Sequence, residues 1–194
     1  MRVLAEAVTK IFNPLTCGLA TISVVVGVQQ IPTDQKILWL TLGFIITFVP
    51  SLVWYWDFRT GRLSSLWSPP AIERRKAFLA WTLAAAAFSL LAFWLDAPRL
   101  ILALGIVLLF LGLLDWLMTS SFKISVHSQI ASLFALVAIL TVGVGVIYLI
   151  VLIPLVAWAR LQLKAHDVSE VSLGALSAVI VVYAVFSLFG LATF

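Results

Sequence analysis

The chain has 194 residues, of which 63% are hydrophobic and 10% charged, with a net charge of +4 and a mean hydropathy of +1.18. A soluble domain carries about a quarter charged residues, so there is too little charge here for a water-facing surface, and a soluble protein is excluded. The single cysteine, Cys17, leaves no internal disulfide and no thiolate metal site, and the basic excess sits in short stretches between apolar runs, which points to anionic lipid headgroups and away from nucleic acid.

The opening Met1-Arg-Val-Leu-Ala-Glu lacks the basic, apolar and small-residue order of a cleavable signal peptide, so the first apolar run is expected to stay as a membrane helix. Apolar stretches then run roughly from Ile11 to Val28, Ile37 to Trp56, Ala77 to Leu95 and Leu100 to Met118, each close to the ~20 residues a crossing needs. The stretch from Ile130 to Ala159 is too long for one ordinary span and is interrupted by Thr141-Val-Gly-Val-Gly145. It predicts two helices joined by a tight turn near Gly143 and Gly145, because glycine supplies the backbone freedom such a turn needs. Each would be about 14 residues, about 21 Å long and shorter than the hydrocarbon core, which would draw the surface at their ends into a hollow. The last run extends from Val171 to Leu191. The fold expected is an all-α transmembrane bundle of six to seven segments, forming a single domain over residues 1–194.

With seven segments, the loops from Asp57 to Lys76, Thr119 to Ser128 and Arg160 to Glu170 share one membrane face with the N-terminus. That face would hold ten of the twelve lysines and arginines, and only Lys36 and Arg99 would lie opposite. The positive-inside rule then makes the crowded face cytoplasmic, the natural setting being a prokaryotic inner membrane. Trp54, Trp56, Trp67, Trp116 and Trp158 near its boundary read as an aromatic belt. Asp115, near the end of a span, reads as a shallow interfacial residue within reach of an arginine, and Cys17 as a core filler.

Both histidines, His127 and His166, fall in loops of the crowded face. Glu170 follows His166 by four residues, so a helix starting near His166 brings carboxylate and imidazole together. Such a carboxylate accepts from one ring nitrogen and leaves the other free as nucleophile or base, whereas Asp167 points elsewhere. Arg160, Lys123 and Arg74 or Arg75 lie on the same face, with Ser125 two residues before His127. Cations around a nucleophilic histidine suit a phosphoryl group, whose transition state spreads negative charge over its oxygens, and a second histidine can protonate the leaving oxygen. Arg59, Arg62 and Lys76 read as topogenic charges.

Ser125-Val-His127, then Arg160 followed after five residues by His166 and after three more by Glu170, resembles the second and third signatures of the type 2 phosphatidic acid phosphatase superfamily, Ser-Gly-His and Ser-Arg-x5-His-x3-Asp. Gly61-Arg-Leu-Ser-Ser leading to Glu73-Arg74-Arg75-Lys-Ala-Phe78 is similar to a degenerate first signature, and the phosphatase-like core spans about 57–191. The resemblance implies that His166 attacks phosphorus to form a phosphohistidine, Glu170 orients it, and His127 protonates the leaving group. Ser125, Lys123, Arg160 and one of Arg74 or Arg75 would hold the phosphoryl oxygens. It also implies chemistry without metal or other cofactor. Five departures stand against it: Val126 for glycine, Ala159 for serine, Glu170 for aspartate, the absence of a proline after Arg74 or Arg75, and Trp67 or Ser68 where the first signature has lysine, a role Lys123 would then take.

The function expected is therefore a membrane-embedded hydrolase acting on a lipid phosphomonoester or diphosphate. Phosphatidate, phosphatidylglycerol phosphate and a polyprenyl diphosphate are not distinguished by the sequence, nor is hydrolysis distinguished from transfer to another alcohol. The broken first signature motivates a catalytically idle, lipid-binding membrane subunit as the alternative. A proton-coupled transporter using the histidines as relays is disfavoured, because these histidines lie outside the spans.

Overall fold

The computed structural model describes residues 1–65 and 69–192. In chain order it contains α1 (Arg2–Ile11), α2 (Pro14–Gly27), α3 (Thr33–Arg59), α4 (Ala71–Trp94), α5 (Arg99–Met118), α6 (Val126–Val142), a 3₁₀ segment (Val144–Val151), α7 (Leu152–Gln162) and α8 (Val168–Leu188). No strand occurs among the described residues. Five stretches are long and apolar enough to cross a membrane, namely α3, α4, α5, the 3₁₀ segment continued by α7, and α8; the bent pair α1 and α2 makes a sixth.

Polarity is distributed as in a membrane protein. Leu52, Leu83, Leu90, Phe93, Ile180 and Leu188 face outward, all more than half exposed, while Arg74, Asp115, Ser125, Gln129 and Arg160 are buried. In water this arrangement would expose large apolar patches and bury charge at several kcal/mol per ion; against hydrocarbon the apolar exterior costs nothing.

The first apolar run is not one straight helix. Pro14, with no amide hydrogen to donate, starts α2, and the Asn13 side chain caps it by accepting from the Thr16 amide at 3.0 Å. The chain therefore bends by 42° between α1 and α2, and α1 packs against α7 through Ala5 and Val8. At the other break, Gly143 has φ +100° and ψ −175°, a region open almost only to glycine. The two arms beside it have 17 residues in α6 and 19 from Val144 to Gln162, longer than the sequence led us to expect, and the second begins as a 3₁₀ segment. Helix α6 sits centrally, packed against α2, α7 and α8, and α4 lies along α5. The main core joins Val25, Trp39, Phe88, Ile101, Leu104, Leu133 and Phe186.

Candidate functional site

The site is assembled where α7 turns into α8. Lys164 has φ +50°; its amide donates to the Leu161 carbonyl at 2.9 Å and that of Ala165 to Arg160 at 3.1 Å, the paired bonds of a Schellman turn. The chain thus reverses tightly enough for Arg160, in the last turn of α7, and His166, beyond it, to line one cavity. Helix α8 then opens with a capping box: Asp167 accepts from the Glu170 amide at 2.9 Å, and Glu170 Oε2 from the Asp167 amide at 3.2 Å.

The same Glu170 oxygen lies 2.7 Å from His166 Nδ1. A carboxylate can only accept, so Nδ1 carries the hydrogen and Nε2 keeps its lone pair. The His166 side chain is 6% exposed. Burial pushes its pKa from 6.5 down to about 3; Arg160, Lys123 and Arg74 push the same way, and Asp167 opposes them. At neutral pH the contact with Glu170 is thus a hydrogen bond to a neutral imidazole.

Two bonds tie the preceding loop to this turn. Lys123 Nζ donates to the Ala165 carbonyl at 2.8 Å, and the Ser125 amide donates to the Glu170 carbonyl at 3.1 Å. The approach of α8 to Ser125 requires Gly174, because a Cβ there would run into the Ser125 carbonyl oxygen. His127 is in the first turn of α6 and not in the loop where the sequence placed it. Its Nε2 is buried without a hydrogen-bond partner, and its ring lines the cavity together with His166.

The cavity has a volume of about 430 Å³, with Arg74, Lys123, His127, Arg160 and His166 at one end and mainly apolar side chains elsewhere. The structure separates the two arginine candidates. Arg74 is 5% exposed and faces the cavity, its guanidinium 5.8 Å from the Phe78 ring centre. Arg75, one residue and about 100° further round the helix, is exposed and stacks over Trp116 at 5.5 Å. Ser125 also departs from its expected place: its hydroxyl lies 3.2 Å from that of Ser128 and is not among the groups lining the cavity.

Asp115, three residues before the end of α5, is fully buried among the helices. Its Oδ1 accepts from Gln129 Nε2 at 3.1 Å, and that nitrogen also reaches Ser177 Oγ at 3.1 Å. Gln129 escaped the sequence reading, although an amide at the head of an apolar run was the signal. Asp57 binds Lys76 at 3.0 Å and Arg62 at 3.2 Å, and Arg59 lies over Tyr55 at 6.0 Å; none of these three cations lines the cavity. Trp54, read as part of an aromatic belt, does line it. Trp67 and Ser68, which stand where the first signature has lysine, lie outside the described residues. Among the described residues, no three His, Cys, Asp or Glu side chains gather as a metal site.

Taken together, the exterior and the spans define a helical integral membrane protein with a cationic, histidine-bearing cavity inside it. No family model matches the chain, and neither does any curated protein or solved structure.

Proposed function

We propose that the protein is a membrane-embedded phosphatase that hydrolyses a lipid phosphomonoester or diphosphate through a phosphohistidine. The observation that carries this reading is the pairing of His166 Nδ1 with Glu170 at 2.7 Å, beside a cavity end shared with Arg74, Lys123, Arg160 and His127. His166 Nε2 attacks phosphorus and the bond to the leaving oxygen breaks, with the electron pair going to that oxygen. His127, which takes up a proton when the negative charge of the phosphate enters the cavity, delivers it there. Neutral His127 then takes a proton from water, whose oxygen attacks the phosphohistidine and releases phosphate and free His166. Arg74, Lys123 and Arg160 balance the charge on the equatorial oxygens. His166 also borders a surface depression lined with Lys123, Lys164, Asp167 and Glu170, from which water would approach the phosphohistidine.

The test is phosphate release by the purified protein from phosphatidate, phosphatidylglycerol phosphate, polyprenyl diphosphate and single-chain alkyl phosphates, with EDTA present and with His166→Ala alongside. Wild-type release that falls at least about a thousandfold in His166→Ala supports the reading. Silence across the panel in folded protein supports instead an idle lipid-binding subunit, a reading favoured by the position of the Ser125 hydroxyl away from the cavity. For topology we propose seven crossings, counting α6 as one, in a prokaryotic inner membrane with the site facing the cytoplasm. A cysteine placed by Ser64→Cys in a Cys17→Ala background tests this: labelling by an impermeant thiol reagent on intact cells overturns the orientation.

A further inference from the structure

Below the histidines the cavity continues into the bundle between Trp54, Trp81, Ile46, Leu104, Leu108 and Leu133, a part that phosphoryl transfer itself does not use. Its depth is limited: from Trp54 to Ile46 α3 rises about 12 Å, and from Arg74 to Trp81 α4 rises about 10 Å. The floor is closed by contact between helices. A Cβ at Gly43 would lie 2.5 Å from Ile22 Cγ2, so α2 and α3 touch there. One helical turn or two further down, Trp39, 2% exposed, packs edge-on against Phe88 with ring centres 6.1 Å apart.

An apolar chamber with a closed floor and three cations at the other end matches an amphiphile with an anionic head and one chain. Its 430 Å³ is at the lower end of volumes that hold a small molecule. Each acyl chain of a bilayer phospholipid fills half of a ~30 Å core, which exceeds the depth available. Carbon–carbon bonds of about 1.5 Å set in a zigzag place about eight to ten carbons in about 12 Å.

We propose that the chamber seats a single hydrocarbon chain borne by the phosphate that Arg74, Lys123 and Arg160 hold. Its closed floor, with Leu104 near the base, gauges that chain at about eight to ten carbons, so single-chain alkyl or prenyl phosphates are taken in preference to diacyl phosphates. The identity of the head group rests on the phosphatase reading, while the chamber stands on its own geometry.

The experiment uses the purified protein in detergent with two readouts. One is phosphate release from butyl, decyl and hexadecyl phosphate and from dioctanoyl phosphatidate; the other is the shift in melting temperature with the matching alkyl phosphonates, which are not hydrolysed. The expected kcat/KM for decyl phosphate exceeds the others by about tenfold or more, and the phosphonates stabilise in the same order. Leu104→Phe moves the preferred length down and Leu104→Ala moves it up; Leu108→Phe repeats the first if Leu104 variants do not fold. Curves independent of chain length, unchanged by these substitutions, or equal for the diacyl lipid overturn the chamber. Length-ordered stabilisation without any release upholds the chamber and overturns the phosphatase reading instead.

Discussion

At the turn between α7 and α8, one oxygen of Glu170 serves both His166 Nδ1 and the Asp167 amide, so the group that sets the imidazole tautomer also closes the first turn of α8. Phosphorylation of Nε2 makes the ring cationic, and only a full carboxylate charge offsets that. Glu170→Gln keeps an acceptor and loses the charge; the expected result is a fall in kcat of about a hundredfold to ten-thousandfold with KM nearly unchanged, read from steady-state phosphate release. His166 itself links stability to pH. Its folded pKa, lowered by burial to about 3, lies below the unfolded 6.5, so between these values the unfolded chain binds more protons. Its contribution is complete above pH 6.5 and is lost as pH falls toward 3. Melting temperatures from pH 7 to 4 should therefore decline more steeply for the wild type than for His166→Asn; parallel curves would contradict it. The pairing of His166 with Glu170 was anticipated from their spacing of four, but its geometry was not: His166 precedes the N-cap of α8, and the capping box turns the Glu170 carboxylate back to it. The choice of Arg74 over Arg75 was not legible, because adjacent residues carry the same charge and only packing decides which one turns inward.

Among the helices, two glycines do different work. At Gly143 nothing lies within 4 Å of an added Cβ, so the cost of a side chain is purely that of φ +100°. Gly143→Ala is expected to lose about 1–3 kcal/mol, or roughly 2–10 °C in a chain of this size. Gly145→Ala, with open space and no positive φ, should stay within about 0.5 kcal/mol of wild type. At Gly174 the obstacle is a carbonyl oxygen of the main chain, which cannot swing aside as a side chain would. Gly174→Ala must push α8 from Ser125, weakening the bond from the Ser125 amide to Glu170 and shifting the base of His166. Activity should fall more than thermal stability does, a split measured on the same preparation. The break at Gly143 was legible because an apolar run too long for one span needs a permissive residue. The bend at Asn13 and Pro14 was not, since both lie inside an apolar run whose hydropathy passes over them.

For the bundle as a whole, composition and run length sufficed to read an α-helical membrane protein, because continuous apolar runs of about 20 residues satisfy their own backbone in hydrocarbon as helices, whereas barrel strands alternate. The cavity was illegible: Trp54 and Trp81 read as belt or core in one dimension, and only the packing of α2 to α6 makes them walls of one chamber. Its mouth draws Arg74 from α4, Lys123 from the loop before α6, His127 from α6, Arg160 from α7 and His166 from before α8. Lys123 and Ser125 already tie the loop before α6 to the turn before α8, but the cations gathered at this end repel one another. An anion bound there relieves the repulsion and links three helices and two loops, so the gain from binding appears as stability of the whole bundle. Orthovanadate, which takes the five-coordinate geometry of the transferring phosphoryl group, is the natural probe. At a hundred times its dissociation constant it should add about 2.7 kcal/mol, equivalent to roughly 5–10 °C. Arg160→Met removes one of the cations and a hydrogen-bonding fork while keeping much of the side chain's bulk, and should abolish most of the shift. An equal vanadate shift in wild type and Arg160→Met, followed by thermal unfolding in detergent, would place the anion elsewhere and separate the cationic mouth from any role in holding phosphate.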